Sequence, residues 1–198
     1  NARRSANEGR GTAGYSFDVE GQFQGRYSEL RVIGDKKGGG TTRVLMNDMG
    51  ALDRFRDAVG LELGAIHVIR NPFDNIATIA KRKRHRFNGD VRPVDLEDAT
   101  TFYFERAHAN QRIVDSGALS VHHLYHEDLI ADARSTLADA CAFLGLEARG
   151  DYLDACAGII FSKPNKTRHN VEWSDELRAR VEGEIDSIEF LGRYSFES

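Results

Sequence analysis

The chain has 198 residues, 40% of them hydrophobic and 29% charged, enough apolar material for one domain with a substantial core. A net charge of -4 provides no overall attraction to nucleic acid, no run approaches the roughly 18 apolar residues of a membrane span, and the opening residues lack the basic and then apolar layout of a signal peptide. A cytoplasmic protein without nucleic-acid or membrane partners is therefore expected, and Cys141, on the apolar face of a predicted helix, reads as a small buried thiol with no part in a disulfide.

Nine of the 19 glycines lie in the first 40 residues, and the opening segment NARRSANEGRGTAGYSFDVEGQFQG has turn formers and aromatic anchors without apolar periodicity. Residues 1–29 are read as a long loop, and a chain opening on Asn1 as one entered mid-domain. From Leu30, LRVIG is a short β-branched strand that runs into the turn DKKGGG. TTRVLMNDMGALDRFRDAV then shows helical spacing through Val44, Met49, Leu52, Phe55 and Val59. The continuous apolar run AIHVI at 65–69 reads as a second strand covered on both faces, and Pro72 suits the first turn of the next helix. That helix, from about Phe73, ends in KRKRHR at 81–86, and another is predicted from Asp95 to about Asp115, closed by Gly117. LSVHHLY at 119–125 is a third strand. Asp132 can cap a helix whose Leu137, Ala140, Cys141 and Leu144 share a face and which Gly145 ends. A short helix near 151–157, a basic loop FSKPNKTRH and a last helix from around Ser174 complete the chain.

Strands alternating with helices predict one α/β domain with a parallel sheet between helices, its ligand sites at the carboxyl ends of the strands. Two stretches fall there. In the first, Arg70 closes a strand and Thr78 lies eight positions on, about two turns into a helix, so a guanidinium and a hydroxyl can converge on one anion beside a helix N-terminus. Asp74 sits in that helix's first turn, where it can accept backbone N–H bonds. The bland alternative pairs Arg70 with a core-edge carboxylate and leaves Thr78 an ordinary helix residue. In the second, GDKKGGG at 34–40 places Asp35 and Lys36 at a strand end, with glycines that open the backbone to an anion or simply form a surface turn. GGGTTR lacks the Gly-Lys-Ser/Thr ending of a Walker loop.

Lys163, Lys166, Arg168 and His169 make a third cluster, next to Trp173, able to close over phosphates or to be solvated charge. Trp173 is expected to pack before the last helix. KRKRHR suits a helix C-terminus. His122 and His126 fall on one side of a strand, but no carboxylate or cysteine stands at ligand spacing, so no metal is expected. His67, in an apolar strand, reads as a satisfied core histidine.

Taken together, these motifs resemble the sulfotransferases that use 3'-phosphoadenosine 5'-phosphosulfate (PAPS). The family's Arg-x-x-x-Asp-x-x-x-Ser/Thr corner reads here Arg70, Asp74 and Thr78. HEDLI at 126–130 with the helix after it resembles the family's Tyr-Glu-Asp-Leu segment, Lys36 matches a lysine at a strand end, and KPNKTRHNVEW resembles the closing basic loop of the bacterial type. The family's first motif, an N-terminal strand and phosphate loop that grips the 5'-phosphosulfate, is not found in these residues, and is expected upstream.

The resemblance implies a three-layer α/β/α, P-loop NTPase-like sulfotransferase fold over residues 30–198 and transfer of a sulfuryl group from PAPS to a hydroxyl or amine of a small-molecule or glycan acceptor, without a metal. It implies that Arg70 and Thr78 bind the donor's 3'-phosphate, with Arg168, Lys163 and Lys166 covering it. Lys36 is then the catalytic cation and Asp35 the base, with Glu20 in reserve. A nucleotide-binding or interaction module of the same fold, without catalysis, is the alternative. A phosphoryl-transfer kinase is disfavoured by the absence of a Walker lysine.

Overall fold

The computed structural model describes residues 29–36, 38–85 and 90–198. The opening loop, Glu20 within it and Arg86 of the KRKRHR run lie outside the described residues. In chain order the helices are α1 (Gly38–Asn47), α2 (Ala51–Val59), α3 (Pro72–His85), α4 (Pro93–Asp115), α5 (His126–Ala131), α6 (Ala133–Phe143), α7 (Gly150–Ala157) and α8 (Asp175–Asp186). The strands are β1 (Gly64–Ile69) and β2 (Ser120–Tyr125), and short 3-10 turns occupy Thr167–Asn170 and Glu189–Leu191. No helix among the described residues is long and apolar enough to cross a membrane.

The chain divides into two compact units. One joins Lys37–His126 to Asn165–Ser198; the other joins the segment up to Lys36 to Glu127–Pro164. Within the larger unit, β1 and β2 pair in parallel, from Gly64 opposite Ser120 to Ile69 opposite Tyr125. The architecture is thus α/β with a small parallel sheet.

Four local expectations are corrected. Residues 30–34 form no ladder, and Leu30, Val32 and Ile33 are exposed. A β-branched run becomes a strand only where an edge receives its hydrogen bonds, and among the described residues only β1 and β2 pair. The long helix over 41–59 is two helices. Asn47, Asp48 and Gly50 favour a turn, in which Ala51 N bonds Asp48 O at 3.2 Å. The glycines expected in a turn instead form the first residues of α1. Finally, β1 is covered on one face only: Ile69 is buried, whereas Ile66 and Val68 are 38% and 61% exposed.

The main core gathers on the covered side. Phe73, Ile76, Ala77 and Ala80 of α3, at the i, i+3, i+4, i+7 spacing of one helix face, are all fully buried. Phe73, Ile76 and Ala80 pack with Leu96, Ala99 and Phe104 of α4, with Leu177, Val181 and Ile185 of α8, and with Ile188 and Leu191 beyond it. Each large side chain so enclosed contributes about 1.5–3 kcal/mol over the exposed state. A smaller cluster of Leu45, Leu52 and Ile113 holds α1 and α2 to α4, and Val44, Met49 and Phe55 of the expected stripe are exposed instead.

Helix ends follow local chemistry. Arg92 N donates to the Asp95 carboxylate at 3.0 Å at the start of α4, and Gly117 (φ 63°) follows its end. In the smaller unit, Asp132 accepts from Ser135 N at 3.0 Å as the cap of α6, and Cys141 is buried on that helix. Ser174 caps α8 by accepting from Leu177 N at 3.2 Å.

Candidate anion-binding site

The site is built on the joint between β1 and α3. Asn71 precedes Pro72, the first residue of α3, and its Oδ1 accepts from Phe73 N at 3.0 Å, which makes it the helix cap. With Asn71 and Asp74 each 1% exposed, the chain direction at the joint is fixed, and Arg70 and Thr78 are carried to one place.

The loop at 165–170 completes that place. Arg70 Nη2 donates to Asn165 O and lies 3.3 Å from Thr167 Oγ1. Thr78 Oγ1 donates to Asp74 O at 2.7 Å, within its own helix, and stands 3.4 Å from Thr167 Oγ1. Arg70, Thr78 and Thr167 therefore converge, although Arg70 and Thr167 are 97 positions apart in sequence. The Arg70 Nε is buried without a partner. A buried guanidinium N–H left unpaired is costly, and an anion is the partner such a group accepts.

Behind the corner lies a buried ion pair. Asp74 Oδ1 accepts from Arg168 N and Oδ2 from Arg168 Nη1, each at 2.9 Å, with Arg168 1% exposed. Arg70 Nη2 is 3.7 Å from the same carboxylate, so its contact is the weaker. Arg168 Nη2 donates to Ser198 O, and Arg168 Nε is buried without a partner. Asn71 Nδ2 donates to Ser195 O at 2.9 Å and Ser198 Oγ at 3.1 Å, so the turn at 195–198 is tied to the same joint. Trp173 donates from Nε1 to Arg168 O at 3.0 Å and meets Phe73 edge to face at 5.2 Å, the packing role expected of it.

The other residues singled out from the sequence divide. Lys166 is exposed, with its Nζ 3.5 Å from Glu197 O and 3.4 Å from Ser198 O, and Lys163 is exposed in the smaller unit. Of this basic cluster, Arg168 is thus buried, whereas Lys163 and Lys166 are exposed. Asp35 and Lys36 belong to the smaller unit, in a stretch that is neither helix nor strand rather than at a strand end.

His122 and His126 do not share a side of a strand, because β2 stops at Tyr125 and His126 opens α5. No group of three or more His, Cys, Asp or Glu that could hold a metal ion occurs among the described residues. His67 is partly buried, and Asn110 Nδ2 donates to its Nε2 at 3.2 Å; burial and nearby His123 push its pKa down to about 4.

Two contributors went unread in the sequence. Asn71 carried a signal, since Asn followed by Pro at a strand-to-helix joint is the pattern of a cap. Thr167 carried none, because its partners belong to a distant part of the chain.

No curated protein and no solved structure matches the chain significantly. A family model does: residues 64–150, which contain β1, the Arg70–Thr78 corner, α4 and β2, match the sulfotransferase family. The loop at 165–170 lies beyond the matched stretch. The corner and the elements on either side of it are those of a domain of the sulfotransferase family.

Proposed function

We propose that this chain serves a sulfotransferase that moves a sulfuryl group from PAPS to a hydroxyl or amine of a small-molecule or glycan acceptor. The observation that carries the reading is the convergence of Arg70 and Thr78 at the β1–α3 joint, inside the segment that matches the family. The unpartnered Arg70 Nε fits an anionic donor. When bound, the donor supplies a sulfuryl group whose leaving partner is a phosphate.

In this reading Arg70 and Thr78 hold the 3'-phosphate, and Arg168, Lys163 and Lys166 supply positive charge around it. Lys36 offsets charge on the transferring and leaving oxygens, and Asp35 takes the acceptor proton as the new S–O or S–N bond forms and the bond from sulfur to the donor's phosphate oxygen breaks, the phosphate keeping the electron pair. No metal is needed for these roles. The reading carries with it a three-layer α/β/α, P-loop-like fold in one domain, larger than the two strands described, and a cytoplasmic setting.

Calorimetric titration with adenosine 3',5'-bisphosphate and with AMP tests it. Tighter binding of the bisphosphate by at least roughly tenfold is expected, with most of that advantage lost in Arg70→Ala, as for removal of one charge-assisted phosphate contact. Equal affinity for the two ligands would mean that the 3'-phosphate is not read, and would overturn the proposal. Bisphosphate binding without sulfuryl transfer to any acceptor would favour the non-catalytic module.

A further inference from the structure

We infer that Thr167 is the residue through which the loop at 165–170 reads the anion, its hydroxyl joining Arg70 and Thr78 as a third side-chain contact while Arg168 braces the corner from behind. The inference rests on the corner holding a phosphate, as proposed above.

Counting hydrogens carries it. Each threonine hydroxyl has one hydrogen to donate. That of Thr78 is directed at Asp74 O, 2.7 Å away within the helix. Among the described residues, the acceptor in reach of the Thr167 hydroxyl is Asn165 O at 3.4 Å, and Thr78 Oγ1 stands equally far away at 3.4 Å. These lengths are beyond the usual range for an O–H···O bond. The least committed hydroxyl hydrogen of the corner therefore belongs to Thr167. Its oxygen is 3.3 Å from Arg70 Nη2, on the guanidinium whose Nε lacks a partner. A phosphate oxygen entering beside Arg70 can accept from both, and Thr78 need not give up its helical bond.

Arg168 is differently placed. Its backbone N and Nη1 are engaged by Asp74 and its Nη2 by Ser198 O. Turning that guanidinium toward a ligand would leave a buried carboxylate unpaired. The 3-10 turn of Thr167–Asn170 thus sends consecutive side chains to different tasks, Thr167 to Arg70 and Thr78, Arg168 to Asp74.

The test is calorimetric titration of the whole chain with adenosine 3',5'-bisphosphate and with AMP, in the wild type and in Thr167→Val, Thr167→Ala and Thr167→Ser. Valine keeps the shape without the hydroxyl, and serine keeps the hydroxyl. Both hydroxyl-free variants are expected to bind the bisphosphate roughly tenfold to a hundredfold more weakly, the effect of one hydrogen bond to a charged group. Their affinity for AMP, and that of Thr167→Ser for the bisphosphate, should stay within about threefold of the wild type. Unchanged bisphosphate binding in Thr167→Val, or equal weakening toward both ligands, overturns the inference while the wild type still discriminates. A wild type that binds both ligands equally overturns the corner reading itself, and this inference with it.

Discussion

Asp74 is the residue on which the corner depends most heavily, because its carboxylate meets the Arg168 guanidinium in the interior, both side chains almost fully enclosed. An enclosed ion pair gains little over water when intact, since both charges have been desolvated, but removing one partner strands the other. Asp74→Ala is accordingly expected to lower the unfolding free energy by about 3–5 kcal/mol, read from urea unfolding. Adding Arg168→Met should recover part of that loss, because the stranded charge goes with it. A double variant whose loss equals the sum of the single losses would show that the two side chains act independently. The exposed pair Arg149–Asp151 offers a contrast, with solvent on both partners, and its removal should leave the unfolding midpoint nearly unchanged.

At the scale of elements, α3 is held at its start by one side chain with two jobs. Asn71 Oδ1 caps the helix, while Nδ2 anchors the 195–198 turn. Asn71→Ala should cost about 1 kcal/mol for the cap and more for the lost anchor, whereas Asn71→Ser, which keeps a capping oxygen, should retain most of the first contribution. Equal unfolding midpoints for the two variants would show that the cap contributes nothing. The position also marks how much could be read in advance. Pro72, Asp132, Ser174 and Gly117 announced helix boundaries correctly because a cap or stop is settled by atoms within a few residues. The strand expected at 30–34 failed because a ladder is settled by a neighbour, which local composition does not specify. The exposed face of β1 was misread for the same reason, since an apolar run does not say how many of its sides will be covered. In the site, the eight-residue spacing made the approach of Arg70 and Thr78 legible, a strand end and the helix that follows it carrying the two. The roles of Thr167 and Arg168 depended on how a loop nearly a hundred positions away folds back, and the periodicity holds no trace of that.

For the larger unit as a whole, the acid limb of stability is set by a chain of polar contacts that crosses three elements. Thr42 Oγ1 of α1 donates to Asn110 Oδ1 of α4 at 2.9 Å, which turns the Asn110 amide so that its Nδ2 donates to His67 Nε2 of β1. Only a neutral imidazole can accept there; a protonated ring would set an N–H against an N–H. His123 stands 5.5 Å away and Phe190 packs edge to face at 4.7 Å, so a charge on His67 would sit in an enclosed place beside a second imidazole. Burial, reinforced by His123, holds the His67 pKa at about 4, and burial lowers that of His123 as well. The unfolded chain therefore binds more protons than the folded one as pH falls from about 6.5 toward 4, and stability must decline across that window. A loss of order 1–2 kcal/mol between pH 7 and pH 5 is expected from urea unfolding, before most carboxylates begin to titrate. In His67→Gln the amide oxygen can still accept from Asn110 but has no proton to gain, so the decline should shrink to what His123 and the remaining groups contribute. An undiminished slope in that variant would place the acid sensitivity elsewhere in the molecule.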